Sequence, residues 1–140
     1  MFEQKPLPIL LYEPDFMYRR TVALAWREMN LGEVVETSQL DVAAGLLQRE
    51  MFRGAVICVD ERTDDTLALI DRLRAGELAS GRDIPVVAMT SRCDADRLAL
   101  LLRRNPVRVV VKPIRVRTLL EALAGIRDGV PRQERPVASG

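Results

Sequence analysis

The chain has 140 residues and a formal net charge of +1, with 48% hydrophobic and only 4% aromatic side chains. This composition predicts a single domain with an aliphatic core, and no apolar run approaches the roughly 18 residues of a membrane span. Histidine is absent, which excludes the commonest general base and zinc ligand. No signal peptide is visible at the N-terminus, so we expect a cytoplasmic protein in which Cys58 and Cys93 are reduced.

The predicted elements alternate between strand and helix along the chain. Short runs rich in Val and Ile predict five strands, and apolar residues at helical spacing predict a helix after each one. The strands are expected at 7–12, 33–36, 55–60, 84–89 and 107–111. The helices are expected at 16–29, after a cap at Thr37 or Ser38, and at 64–75, 94–104 and 116–127.

Five strand–helix units with right-handed crossovers form a parallel sheet with helices on both faces. We therefore predict an α/β fold of the flavodoxin type, a (βα)5 chain with strand order 2-1-3-4-5. The domain is expected to cover residues 7–128. Residues 129–140 lack periodicity and contain two prolines and two glycines, so we predict a flexible C-terminal tail.

Three of the predicted strands end on different polar residues, namely Asp60, Thr90 and Lys112. In a parallel sheet the carboxyl ends of all strands lie at one edge, which is where ligands bind. A carboxylate, a hydroxyl and an ammonium group are therefore expected to converge on one site. This combination favours a site that takes up a phosphoryl group or another anion.

Because Asp60, Thr90 and Lys112 follow the third, fourth and fifth strands, residues 7–128 resemble CheY-like receiver domains of bacterial two-component response regulators. The resemblance also uses Ser91 after Thr90, Pro113 after Lys112, the Ile84-Pro85 pair and Arg19-Arg20. It implies that Asp60 is the phosphoacceptor for a histidine kinase or phosphotransfer protein. It further implies that Thr90 hydrogen-bonds the phosphoryl group, that Lys112 pairs with it, and that the Lys112–Pro113 peptide is cis.

The sequence departs from the family pattern at the site of the metal ion. The resemblance implies Mg²⁺ between Asp60 and an acidic pair after the first strand, but that pair reads Glu13-Pro14. Because Mg²⁺ demands a nearly octahedral oxygen shell, a weakened site formed by Glu13 and Asp60 is expected. Asp15 lies one residue too late, and Val109 stands where the family has an aromatic switch residue.

Two arginines are expected at the rim of the pocket. Arg62 follows Asp60 by two residues, and Arg92 follows Thr90 by two residues. A guanidinium group near the acceptor lowers the pKa of its carboxyl group. Our hypothesis is that arginine partly fills this pocket and neutralises Asp60 without a metal.

The second part of the chain is basic, with eleven basic and five acidic side chains in residues 92–140. The resemblance implies an output face on the fourth helix, fifth strand and fifth helix, carrying Arg97, Arg104, Arg108, Val109, Arg115 and Arg117. A solvated face explains these charges as well as a contact surface does. If the face binds, its candidate partners are an acidic protein, an anionic ligand such as a cyclic dinucleotide, or a second copy of the chain.

Our first interpretation is an atypical single-domain response regulator in two-component phosphorelay signalling, with output by protein contact. The alternative is a phosphorylation-independent pseudo-receiver that acts as a binding or dimerisation module. An enzyme or flavodoxin-like cofactor binder is disfavoured because no glycine-rich phosphate loop follows the first strand and no catalytic base is apparent. Direct DNA binding is not expected, since no helix-turn-helix follows the domain.

Overall fold

The computed structural model describes residues 6–129, so the predicted tail at 130–140 lies outside the described residues. Strands and helices alternate as predicted. Their bounds are β1 (Ile9–Tyr12), α1 (Phe16–Glu28), β2 (Val34–Thr37), α2 (Leu40–Arg49), β3 (Gly54–Cys58), α3 (Thr63–Arg74), β4 (Val86–Thr90), α4 (Ala95–Leu102), β5 (Arg108–Val111) and α5 (Val116–Asp128).

All five strands are parallel, and their order is β2-β1-β3-β4-β5. This confirms the predicted topology. The three central strands β1, β3 and β4 are buried at every position, which explains why they read as unbroken apolar runs rather than as alternating patterns. Within residues 6–129, none of the helices combines the length and the apolar character needed to cross a membrane.

Successive residues of each strand pack alternately into two hydrophobic cores, one on either face of the sheet. In β1, Leu10 joins a cluster with α2 and α3, whereas Leu11 joins a cluster with α1 and α5. The aromatic side chains divide in the same way, because Phe52 packs in the first cluster and Trp26 in the second. The sheet is therefore covered on both sides, and its carboxyl-terminal edge is left for a site.

The helix α4 is the least deeply packed of the five. Leu101 is its only buried residue, and Leu102 is exposed. Its C-terminal end is held instead by Arg104, whose guanidinium group lies 2.9 Å from Asp71 of α3 and donates to the Leu67 carbonyl at 3.4 Å. Arg104 was expected on the output face, but its side chain is only 18% exposed and ties α4 to α3.

Candidate functional site

The candidate site lies at the carboxyl-terminal edge of the sheet. The register brings the strand ends level, since Tyr12 pairs with Ile57, Cys58 with Met89, and Thr90 with Val111. The loops that follow β1, β3, β4 and β5 enclose a cleft of about 350 Å³. Its walls are formed by Glu13, Pro14, Asp15, Tyr18, Cys58, Asp60, Glu61, Ser91, Lys112 and Pro113.

Asp60 lies at the centre of this cleft, with its side chain 21% exposed. One carboxylate oxygen, Oδ1, accepts from the Ser91 backbone N–H at 2.8 Å and from the Thr90 hydroxyl at 3.3 Å. The other, Oδ2, lies 3.1 Å from Lys112 Nζ. Burial alone raises the pKa of Asp60, but the hydrogen bond from Ser91 and the Lys112 ammonium outweigh it, so the pKa is lowered. Asp60, Thr90 and Lys112 therefore meet as the sequence predicts.

Lys112 joins two carboxylates that come from different strands. Its Nζ lies 2.8 Å from Glu13 Oε1 and 3.1 Å from Asp60 Oδ2, and its side chain is only 8% exposed. The ring of Tyr18 adds a cation–π contact at 4.6 Å. Burial opposes the charge, but the two carboxylates hold the pKa of Lys112 above its ordinary value. The Lys112–Pro113 peptide is cis, as predicted.

Glu13 is the deepest carboxylate of the site, at 1% exposure. Its Oε1 pairs with the Lys112 ammonium, and its Oε2 accepts from the Asp15 backbone N–H at 2.9 Å. Asp15 is exposed and caps α1 by accepting from the Tyr18 N–H at 3.1 Å. The acid that follows Pro14 thus stabilises a helix start and does not complete a pair with Glu13.

This donor set does not fit Mg²⁺. Lys112 Nζ lies 2.8 Å from Glu13 Oε1 and 3.1 Å from Asp60 Oδ2, and the other oxygen of each carboxylate accepts from a backbone N–H group. No group of three or more metal-ligating side chains occurs among residues 6–129, and an ammonium group lies between the two carboxylates. Because Mg²⁺ needs a nearly octahedral shell of oxygen atoms, two carboxylates joined by an ammonium group are a poor set of ligands for it.

Neither predicted rim arginine enters the cleft. The guanidinium group of Arg62 pairs with Asp41 and Asp65, each at 3.2 Å. That of Arg92 pairs with Asp94 at 2.6 Å, and its side chain is 66% exposed. The hypothesis that these two arginines fill the pocket is corrected, because carboxylates on α2, on α3 and before α4 hold them elsewhere.

A different arginine approaches the site. Arg97, expected on the output face, is half-buried in the first turn of α4. Its Nη1 lies 3.3 Å from Thr90 Oγ1 and 3.5 Å from the Val59 carbonyl oxygen. Side chains on a helix tilt toward its N-terminus, so a long side chain in this turn reaches back to the strand ends. That position after the Asp94 cap is the signal in the sequence that could have identified it.

The remaining predicted output residues lie on or near the surface of α5 and β5. Arg108 is exposed and pairs with Glu121 at 3.0 Å, whereas Val109 is half-buried against the α2–α3 cluster. Arg115 and Arg117 are exposed, and neither has an ion-pair partner in the part of the chain that the structure describes. Three exposed apolar residues, which the sequence analysis did not assign to this face, lie on the same two elements: Val111, Val116 and Leu120.

Cys58 is a buried thiol that lies next to the charged groups of the cleft. It is 1% exposed, and its Sγ is 3.4 Å from Lys112 Nζ. Burial raises the pKa of the Cys58 thiol to about 12, so the sulfur is neutral at physiological pH. It acts as a small packing residue below the charged groups.

Known proteins resemble this chain in structure rather than in sequence. No family model and no curated protein matches the sequence. A response regulator from Thermotoga maritima superposes with a TM-score of 0.72, at 22% identity, over 89% of this chain and 99% of its own. An orphan response regulator of H. pylori gives 0.70 at 14%, over 91% and 98%.

A putative pilus assembly-related protein from Burkholderia pseudomallei also superposes, with a TM-score of 0.66 at 18% identity, over 94% of this chain and 98% of its own. Identities this low establish the fold alone. The chain is a doubly wound α/β protein with its polar site at the carboxyl-terminal edge of the sheet. More particularly, it has the CheY-like fold of response regulator receiver domains.

Proposed function

We propose that this protein is a receiver-type signalling module that acts by protein contact and does not depend on an aspartyl phosphate. The observation that carries the proposal is the position of the Lys112 ammonium, 2.8 Å from Glu13 and 3.1 Å from Asp60. The chain's own cation balances the two carboxylates where the transfer of a phosphoryl group requires an additional cation. In this role the protein neither converts a small-molecule substrate nor uses a cofactor.

The electrostatic argument concerns the attack of one anion on another. A phosphoryl donor brings negative charge to a carboxylate, and catalysis of such a transfer depends on positive charge placed at the phosphoryl oxygens. Lys112 is already shared by Glu13 and Asp60, and the other oxygen of each carboxylate accepts from a backbone N–H group. The site therefore favours a stable ion-pair network over repeated transfer.

Incubation with acetyl phosphate tests this part of the proposal. We expect the intact mass of the protein to stay unchanged with or without millimolar Mg²⁺, because the Lys112 ammonium is already shared by Glu13 and Asp60. The Asp60→Asn variant, treated identically, is the control. A gain of one phosphoryl group by the unaltered protein that is absent from Asp60→Asn would overturn phosphorylation independence.

That same outcome would establish the second candidate function, a response regulator of a phosphorelay with Asp60 as the acceptor. It is favoured by one observation, the set of donors around the carboxylate. The Thr90 hydroxyl, the Ser91 N–H and the Lys112 ammonium lie within 3.3 Å of Asp60. These are groups that could hold phosphoryl oxygens delivered by a histidine kinase or a phosphotransfer protein.

The proposed contact surface consists of exposed residues on or beside β5 and α5. Val111, Val116 and Leu120 are exposed apolar residues, and the exposed cations of Arg115 and Arg117 precede and enter the first turn of α5. Cations at a helix N-terminus oppose the helix dipole, so these two are not explained by helix stability. An acidic protein surface with apolar residues at its centre is the partner that this arrangement fits.

Site-specific cross-linking tests the surface. A photoreactive residue at Leu120, introduced in cells that produce the protein, should give a discrete cross-linked species. Arg115→Glu combined with Arg117→Glu should reduce its yield at least about tenfold, since charge reversal opposes an acidic partner. The control is Arg49→Glu with Arg82→Glu, which reverses two exposed charges elsewhere. An equal yield in both double variants would contradict the proposed surface, and a species of twice the chain mass would identify a second copy as the partner.

A further inference from the structure

The Thr90 hydroxyl group connects the site to the loop and helix that follow β4. Four groups lie within hydrogen-bond distance of Thr90 Oγ1. These are Asp60 Oδ1 at 3.3 Å, the Arg92 carbonyl oxygen at 2.8 Å, the Arg92 N–H at 3.2 Å and Arg97 Nη1 at 3.3 Å. Thr90 is fully buried, so these protein groups make up its surroundings.

The hydroxyl group cannot bond equally to all four of them. It carries one proton and two lone pairs, and the N–H groups of Arg92 and Arg97 use the lone pairs. Asp60 and the Arg92 carbonyl group therefore compete for the single proton. A change in the charge of Asp60 alters this competition, and it does so at an oxygen atom to which the Arg97 guanidinium group is also bound.

Arg97 is the element of this network that belongs to α4. Leu101 is the one fully buried residue of α4, and Leu100 is partly buried against the same cluster, so arginine contacts at the two ends of the helix add to a small apolar contact. Arg97 binds the N-terminal end to Thr90 and to the Val59 carbonyl group, and Arg104 binds the C-terminal end to α3. The Arg97 contact is connected to Asp60 through the Thr90 hydroxyl group, whereas the Arg104 contact with Asp71 is not.

We propose that Arg97 is a positioning residue that couples the charge state of Asp60 to the position of the first turn of α4 through the Thr90 hydroxyl group. The inference rests on the proposed function in one respect, because it supplies a route from the cleft to α4, whose Leu101 packs in the same cluster as Val109 of β5. It does not rest on phosphorylation, since the substitution Asp60→Asn changes the charge at the same position.

The experiment uses Asp60→Asn as the change of charge and backbone amide NMR shifts as the measurement. In the otherwise unaltered protein, we expect Asp60→Asn to shift the amide signals of residues 95–102. In the Arg97→Gln background, the same change should shift these signals by less than about half as much. Thr90→Ala should suppress the response similarly, and Arg97→Lys, which keeps the cation, should restore part of it.

Arg104→Gln is the matched control, because it releases the other end of α4 without touching Thr90. The response of residues 95–102 to Asp60→Asn should survive in that background. An undiminished response in Arg97→Gln, or an equal loss in Arg104→Gln, would overturn the proposal. Native signal dispersion in each variant shows that the fold is intact, and neither the acetyl phosphate test nor the cross-linking test enters this result.

Discussion

Replacement of Lys112 by methionine should lower the free energy of unfolding by about 3–5 kcal/mol, the cost of removing one partner from a buried ion pair. Glu13 is 1% exposed, and its Oε1 atom has the Lys112 ammonium as its charged partner. Methionine fills a similar volume without supplying a charge, so a buried carboxylate is left uncompensated beside Asp60. Urea unfolding at neutral pH, followed by circular dichroism, measures the difference.

A second substitution separates this charge effect from a loss of packing. Glu13→Gln in the Lys112→Met background removes the uncompensated charge, so it should recover more than half of the lost stability. If the double variant is no more stable than Lys112→Met alone, the ion pair is not the source of the loss.

The acid limb of the stability curve gives an independent measurement of the same network. Because the folded pKa of Asp60 lies below its unfolded value of 3.8, the contribution to stability is present above pH 3.8. It is lost as the pH falls below 3.8 through the lowered folded pKa. Stability should therefore decrease less steeply in Asp60→Asn than in the unaltered protein as the pH falls below about 4.

Trp26→Ala should cost about 3–5 kcal/mol, as expected for truncating a large core side chain. Trp26 is fully buried in the cluster between the sheet, α1 and α5, with the Arg53 guanidinium group 5.7 Å from its ring centroid. The substitution removes the chain's single tryptophan and with it the tryptophan fluorescence signal. Thermal unfolding should therefore be followed by circular dichroism.

Trp26→Phe distinguishes the ring from its N–H group. The buried Nε1 atom has no hydrogen-bond partner among residues 6–129. Losing this group recovers part of its desolvation penalty, so Trp26→Phe should cost less than about half as much as Trp26→Ala. Equal losses for the two variants would indicate that the N–H group has a partner in solution.

The fold followed from the sequence because its signals are local and repeated. Val- and Ile-rich runs between helical patterns leave few arrangements other than a parallel sheet with helices on both faces. The differences are at element ends: β3 was expected at 55–60 and is Gly54–Cys58, and α4 was expected at 94–104 and is Ala95–Leu102. The Val59 N–H still bonds to the Met89 carbonyl group at 2.9 Å, so sheet-like hydrogen bonding continues one residue beyond the end of β3, next to Asp60.

The centre of the site was also predictable, whereas its arginines were not. Asp60, Thr90 and Lys112 follow their strands directly, so the sheet fixes where their backbones lie. The guanidinium group of an arginine lies several rotatable bonds from its backbone, and its position depends on carboxylates that are distant in sequence. Arg62 pairs with Asp41, 21 residues earlier, and so turns away from the cleft.

The ammonium group of Lys112 has a consequence for how the protein depends on its surroundings. A carboxylate site that recruits a divalent ion changes its occupancy whenever the supply of that ion or the level of a chelator changes. Here the compensating charge is covalently attached, so its local concentration is set when the polypeptide folds. The resting state of the pocket should therefore be the same in a magnesium-starved cell as in a magnesium-rich one.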